Sequence, residues 1–208
     1  MKGKYVKQRQ HNGAYNKQRR HSPTKHQIKN RNIHLLKDLS LAIVFSLLIL
    51  IAITMYYFQF ISMTGLAMSP TLKEEDKVII SKKSSWQRFD LLAIKNPGKP
   101  IQIRRLIGSP GEKILYREDL LYINDEVVDE NFLVSEINSS QASGKNYTEN
   151  LSSMLLNKDG VIPDKFYLVL GDNRPYATDS RHYGLVPQKN IMGKVVARYW
   201  PINEFVLF

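Results

Sequence analysis

Hydrophobic residues follow two regimes along the chain. From Leu39 to Phe58 runs a stretch of twenty residues without a charge. As a helix it would be about 30 Å long, enough to cross a bilayer. Tyr56 and Tyr57 fall at its end, where aromatic side chains favour the membrane interface. A cleaved signal peptide has a shorter apolar core, so the length predicts an uncleaved anchor. Beyond this run the helical period disappears. Short apolar or alternating segments predict strands at Lys77–Ser81, Asp90–Lys95, Ile101–Ile107, Lys113–Tyr116, Leu120–Ile123, Lys165–Leu170 and Gly193–Trp200. Pro110-Gly111, Arg117-Glu118-Asp119 and Asn124-Asp125-Glu126 predict turns, the last leading into Val127 and Val128. The polar cluster Ser139–Asn146 predicts an exposed loop, and Glu149–Asn157 one short helix. The pattern is that of an all-β chain, an antiparallel sandwich or folded barrel, behind an N-terminal transmembrane helix.

Charge sharpens this division. Of the 30 Lys and Arg, eleven lie in residues 1–37, which contain no Asp or Glu; the remaining 19 balance 19 acidic groups. The net charge of +11 thus belongs to a tail and not to the β region. The tail is too polar to bury a core and reads as disordered. Directly before an apolar span, it holds that end in the cytoplasm and suits anionic headgroups. A basic arm with Tyr5 and Tyr15 also suits nucleic acid, but no matching basic cluster follows in the β region, so no nucleic-acid partner is expected. Three parts are expected: a basic disordered cytoplasmic tail over 1–38, a transmembrane anchor over 39–61, and an extracytoplasmic β domain over 62–208. The expected location is the cell membrane, with a single pass. The chain has no cysteine, which excludes disulfides and thiol chemistry. No histidine cluster has metal-ligand spacing, and neither metal nor cofactor is expected.

Three segments carry chemical information. The first is Gly65-Leu66-Ala67-Met68-Ser69-Pro70-Thr71-Leu72. The second is Arg104-Arg105-Leu106-Ile107-Gly108-Ser109-Pro110-Gly111-Glu112. The third runs Gly171-Asp172-Asn173-Arg174-Pro175-Tyr176-Ala177-Thr178-Asp179-Ser180-Arg181-His182-Tyr183-Gly184. In this order, behind an apolar anchor, they resemble the type I signal peptidases of Gram-positive bacteria. The family patterns are Gly-x-Ser-Met-x-Pro-Thr-Leu, Lys-Arg-x-Ile-Gly-x-Pro-Gly-Asp and Gly-Asp-Asn-Arg-x-x-Ser-x-Asp-Ser-Arg-x-x-Gly. The resemblance implies the signal-peptidase-like antiparallel β fold. It also implies a groove that takes a precursor as an extended strand, with Gly65, Leu66, Met68 and Pro70 as substrate contacts.

In that family a serine attacks the scissile carbonyl and a neutral lysine takes its proton. A hydroxyl is a weak nucleophile until something accepts that proton, and a lysine can do so only where burial lowers its pKa. The resemblance places Ala67 at the nucleophile position and Arg104 at the general-base position. A methyl group cannot attack, and a guanidinium stays protonated. The serine that hydrogen-bonds the lysine corresponds to Ala177. The supporting residues Gly171, Asp172, Asn173, Asp179, Ser180 and Arg181 remain, with Asp179 and Arg181 expected to pair. Ser69 would return to the face of Ala67 if the segment were a strand, but it precedes Pro70 and still lacks a base. Lys73 and Lys77 read as solvated charges, and His182 as a surface histidine. Family members without the dyad are associated with pilus assembly. The expected function is therefore a membrane-anchored homologue that binds secretory preproteins or pilin precursors without cutting them. An active signal peptidase and a membrane-anchored interaction module are the alternatives.

Overall fold

The computed structural model describes residues 25–150 and 160–208, with side chains from residue 36 onward. The first 24 residues of the basic tail, and most of the helix expected over Glu149–Asn157, lie outside these. The chain divides into two units, residues 1–50 and 51–208.

Helix α1 spans Lys25–Tyr57. It starts inside the segment whose composition reads as disordered. The lysines and arginines there are good helix formers once an apolar run continues the helix. Its part from Leu36 to Tyr57, 22 residues with mean hydropathy 2.5, is the one helix among the described residues long and apolar enough to cross a membrane. The helix stops at Tyr57, and strand β1 begins at once over Phe58–Ser62. The apolar run thus changes structure inside the expected anchor of 39–61.

The remaining strands are β2 (Lys77–Ser81), β3 (Leu91–Ile94), β4 (Gln102–Gly108), β5 (Ile114–Arg117), β6 (Leu120–Ile123), β7 (Glu126–Val128), β8 (Phe166–Leu170), β9 (Val186–Pro187), β10 (Ile191–Trp200) and β11 (Val206–Leu207). The main sheet runs β1-β2-β10-β3-β4-β8-β9, with β11 added beside β10, and all of its pairings are antiparallel. Strands β5, β6 and β7 form a separate meander. The long strand β10 is central, pairing with β2 on one side and β3 on the other. Gly193 lets it pass: a Cβ there would lie 2.1 Å from the Ser81 carbonyl oxygen.

The segment expected as a loop over Ser139–Asn146 is corrected in its first half. Helix α2 covers Val134–Ala142, and the turn follows at Ser143–Gly144. Ser139 and Ser143 return their hydroxyls to carbonyls four residues earlier, which lets polar residues sit on a helix.

Alternation along the strands sends side chains to two faces. One face packs Val78, Ile80, Leu91, Ala93, Ile103 and Val195 against Met63, Met68 and Leu72. The other packs Leu92, Ile94, Leu106, Val169, Val186 and Ile191, capped by Trp86, Tyr167 and Tyr183. A third cluster joins Ile107, Leu168 and Leu170 to the meander through Ile114, Tyr116, Leu121 and Ile123.

Candidate functional site

The segment Gly65–Leu72 is a compact turn. The Ser69 N–H donates to the Leu66 carbonyl at 3.1 Å, and the Leu72 N–H to the Met68 carbonyl at 2.9 Å. The strand geometry that would have put Ser69 on the face of Ala67 is therefore absent. The turn is anchored from three directions. Met68 and Leu72 are fully buried in the core. Arg198 donates to the Thr71 carbonyl at 3.2 Å and pairs with Asp76 at 3.0 Å. The Asn173 N–H donates to the Ala67 carbonyl at 3.1 Å, and the Asn173 side-chain amide to the Leu66 carbonyl at 3.1 Å.

The segment from Gly171 to Tyr183 meets this turn. Gly171 must be glycine: a Cβ there would sit 2.5 Å from the Ala67 carbonyl oxygen and 2.3 Å from the Ala177 Cβ. Ala67, Gly171 and Ala177, which lie far apart in sequence, are thus brought into contact.

Buried charges brace the segment. The Asp172 carboxylate accepts from Arg105 Nε at 2.7 Å, from Arg105 Nη2 and from the Thr71 hydroxyl. Arg105 also donates to the Phe89 carbonyl and lies 3.9 Å from the centre of the Phe132 ring. The fully buried Arg174 pairs with Glu130, donates to Thr148 at 2.9 Å and reaches the Tyr116 hydroxyl at 3.3 Å. Burial pushes the Tyr116 phenol well above its ordinary value. Asp179 accepts from the Gly171 N–H at 2.9 Å and pairs with Arg181 at 2.8 Å, so the expected ion pair is present. Asp179 also caps helix α3 (Ser180–Tyr183), with His182 closing the reciprocal contact. The Ser180 hydroxyl accepts from the Val169 N–H at 3.1 Å. His182 is largely exposed, and Lys73 is taken up by Glu204 at 3.0 Å.

Arg104 projects from β4 on the side opposite to Arg105, as alternation requires. It is 6% exposed. Nε and Nη2 donate to the Thr178 carbonyl at 3.1 and 2.8 Å, and Nη1 to the Ile103 carbonyl at 2.6 Å. Burial lowers its pKa, with Tyr183 and Asp179 acting in the opposite direction. A guanidinium so held remains a cation and a donor.

Ala67 and Arg104 line one cavity of about 90 Å³. Its walls are Ile61–Thr64 with Ala67 on one side and Pro100–Arg104 on the other. Ser62 and Thr64 supply hydroxyls, but the lining has no Lys, His, Asp or Glu to serve as a base. Two strand edges border it. Among the described residues β1 pairs only with β2, and β4 meets β8 only from Arg105 onward. The Met68 side chain is fully buried in the core. Gly65, Leu66 and Pro70 are exposed on the same turn but do not line the cavity.

Sequence reasoning missed Gln102 and Tyr183. Burial raises the Tyr183 phenol to about 12, with Arg104 pulling the other way, and its hydroxyl has no hydrogen-bond partner. Keeping this phenol neutral contributes stability that is complete below the unfolded value near 10 and is lost as pH rises toward about 12. Tyr183→Phe should therefore change stability at neutral pH by less than about 1 kcal/mol, because no hydrogen bond is lost. It should flatten the alkaline decline in denaturation midpoints, with Tyr116 leaving a residual slope.

The family described as "Signal peptidase, peptidase S26" matches residues 36–200. Signal peptidase I V of Bacillus subtilis is 37% identical over 135 residues, covering 63% of this chain and 79% of that protein. Signal peptidase IB of Staphylococcus aureus is 32% identical over 176 residues, covering 80% and 90%. The crystal structure of a signal peptidase I from Enterococcus faecalis V583 is 38% identical, covers 53% of this chain and 97% of that one, and gives a TM-score of 0.48. The match over residues 36–200 takes in the apolar helix, the Ala67 turn, Arg104 and the braced segment alike, and this chain belongs to the signal peptidase family, peptidase S26.

Proposed function

We propose that this chain is a membrane-anchored signal peptidase homologue that binds precursor proteins without cleaving them. The observation that carries this reading is the chemistry of one cavity: Ala67 and Arg104 both line it, and no lining side chain can take a proton from Ser62 or Thr64. In this reading Ala67 stands at the nucleophile position and Arg104 at the base position, with Asp172, Asn173, Ala177, Asp179, Ser180 and Arg181 as supports.

Binding needs no nucleophile. The open edges of β1 and β4 offer backbone donors and acceptors to an extended peptide laid between them, which is strand addition. Leu66, Gly65 and Pro70 form the exposed rim. The bound chains are secreted preproteins, among them pilin precursors, presented at the outer surface. The basic residues before the span hold the amino terminus in the cytoplasm, and residues 62–208 lie outside.

The full chain in proteoliposomes should yield no turnover of a preprotein with an Ala-x-Ala site above the protein-free control. It should, however, capture the same precursor through a photocrosslinker at Leu66. Turnover abolished by Ser69→Ala would instead establish an active peptidase that uses a different serine. Absence of any crosslink would remove the binding role.

A further inference from the structure

Among the described residues three arginines are buried, Arg104, Arg105 and Arg174. Arg105 pairs with Asp172 and Arg174 with Glu130. Among the described residues no carboxylate lies within 4.0 Å of Arg104. Asp179, the acidic group whose charge it feels, is already engaged by Arg181 and by the Gly171 N–H. Burying an arginine without a counterion is costly, and an arriving anion offsets the part of that cost that hydrogen bonds to carbonyls leave. Its three hydrogen bonds, all to carbonyls, use three of its five N–H groups.

Gln102, two residues earlier on β4 and on the same face, lines the same cavity. Its unpartnered side-chain oxygen is an acceptor and no ligand for an anion, whereas its amide N–H groups can donate to one. Ser62 and Thr64 add hydroxyls on the opposite wall. The lining therefore combines one cation that pairs with no carboxylate among the described residues, an amide and two hydroxyls with no negative charge, in a space sized for a short side chain.

We propose that this cavity is an anion subsite: it receives a carboxylate of the bound peptide against Arg104, with the Gln102 amide N–H groups and the Ser62 and Thr64 hydroxyls available to donate its remaining hydrogen bonds. The carboxylate is either an Asp or Glu side chain or a chain terminus. The inference rests on the strand-binding reading above and adds the kind of residue that the groove selects. A guanidinium suits this task because it keeps its charge when buried and presents a fork to two oxygens.

The test uses the full chain in lipid nanodiscs and fluorescence anisotropy with labelled, capped Ala/Leu peptides. One set carries a single Gln at successive positions and a second set a Glu there. A third pair compares a free carboxylate with an amide at the carboxyl end. In at least one register Glu should bind about tenfold or more tighter than Gln, as expected for a charge-assisted contact. High salt should leave most of this preference, because the pair is buried, and Arg104→Gln should remove it while Arg104→Lys keeps part. A preference confined to the free terminus would support the subsite and identify its ligand as a chain end. If Glu, Gln and both termini bind equally, the anion subsite is rejected while strand binding stands. If the wild-type chain binds no peptide, both readings fall. Should Arg104→Gln not fold, the Glu-to-Gln ratio on the unaltered chain still decides the matter.

Discussion

Restoring Ala67→Ser together with Arg104→Lys should turn a chain without measurable cleavage into one that processes a preprotein. Ala177→Ser should increase the rate further. Removing a nucleophile or its base from a serine hydrolase costs about 10⁶-fold, so even partial recovery should exceed the unaltered chain by about 10³-fold or more. The ground for expecting recovery is geometric. The turn at Ala67 is already held by the Asn173 N–H, Gly171 already permits the close approach, and Ala177 already lies against Gly171. A lysine at 104 would inherit the burial that lowers the arginine's pKa, and desolvation pushes a lysine toward the neutral form that a base requires. The measurement is the appearance of the mature band from a labelled preprotein in proteoliposomes, with thermal melts to verify folding. A folded triple variant that stays inert would mean that the groove itself no longer presents the peptide bond to residue 67.

The second large effect is on stability. Asp172→Ala should destabilise the β region by about 3–5 kcal/mol, because it strands the buried Arg105 without a counterion and takes an acceptor from Thr71. Denaturant midpoints measured on the full chain in detergent would register it. Replacing both partners, Arg105→Leu with Asp172→Leu, should cost less than Asp172→Ala alone, since no uncompensated charge remains. If the single and double variants were equally unstable, the stabilising contribution would come from packing around Phe132 and Phe89 and not from the ion pair.

Much of the sheet was legible because its strands alternate or are short and apolar between clear turns. The expected segments at Lys77–Ser81 and Leu120–Ile123 coincide with β2 and β6, and that at Ile101–Ile107 differs from β4 by one residue at each end. β1 was not legible, because Phe58–Ser62 prolongs the apolar run and hydropathy alone does not mark where a helix becomes a strand. The two-residue strands β9 and β11 are too short for any period, and α2 hides behind serines and asparagine, which read as loop. At the site, the motifs named the residues but not their partners. Adjacent Arg104 and Arg105 had to face opposite ways. That one would find Asp172 and the other only carbonyls depends on a chain segment some 67 residues further on. Arg174 carries no sign in sequence of its union with Glu130 and Tyr116, which arrive from separate elements.

The eleven residues from Gly171 to Arg181 brace this part of the fold: they supply one member of two buried charge pairs, both members of a third, and the clamp on the turn at residue 67. Selection on folding alone would therefore preserve this stretch whether or not a chain is also selected for hydrolysis. A genome survey that recognises family members by this signature reads the fold and not the chemistry. Positions 67 and 104 have to be read separately.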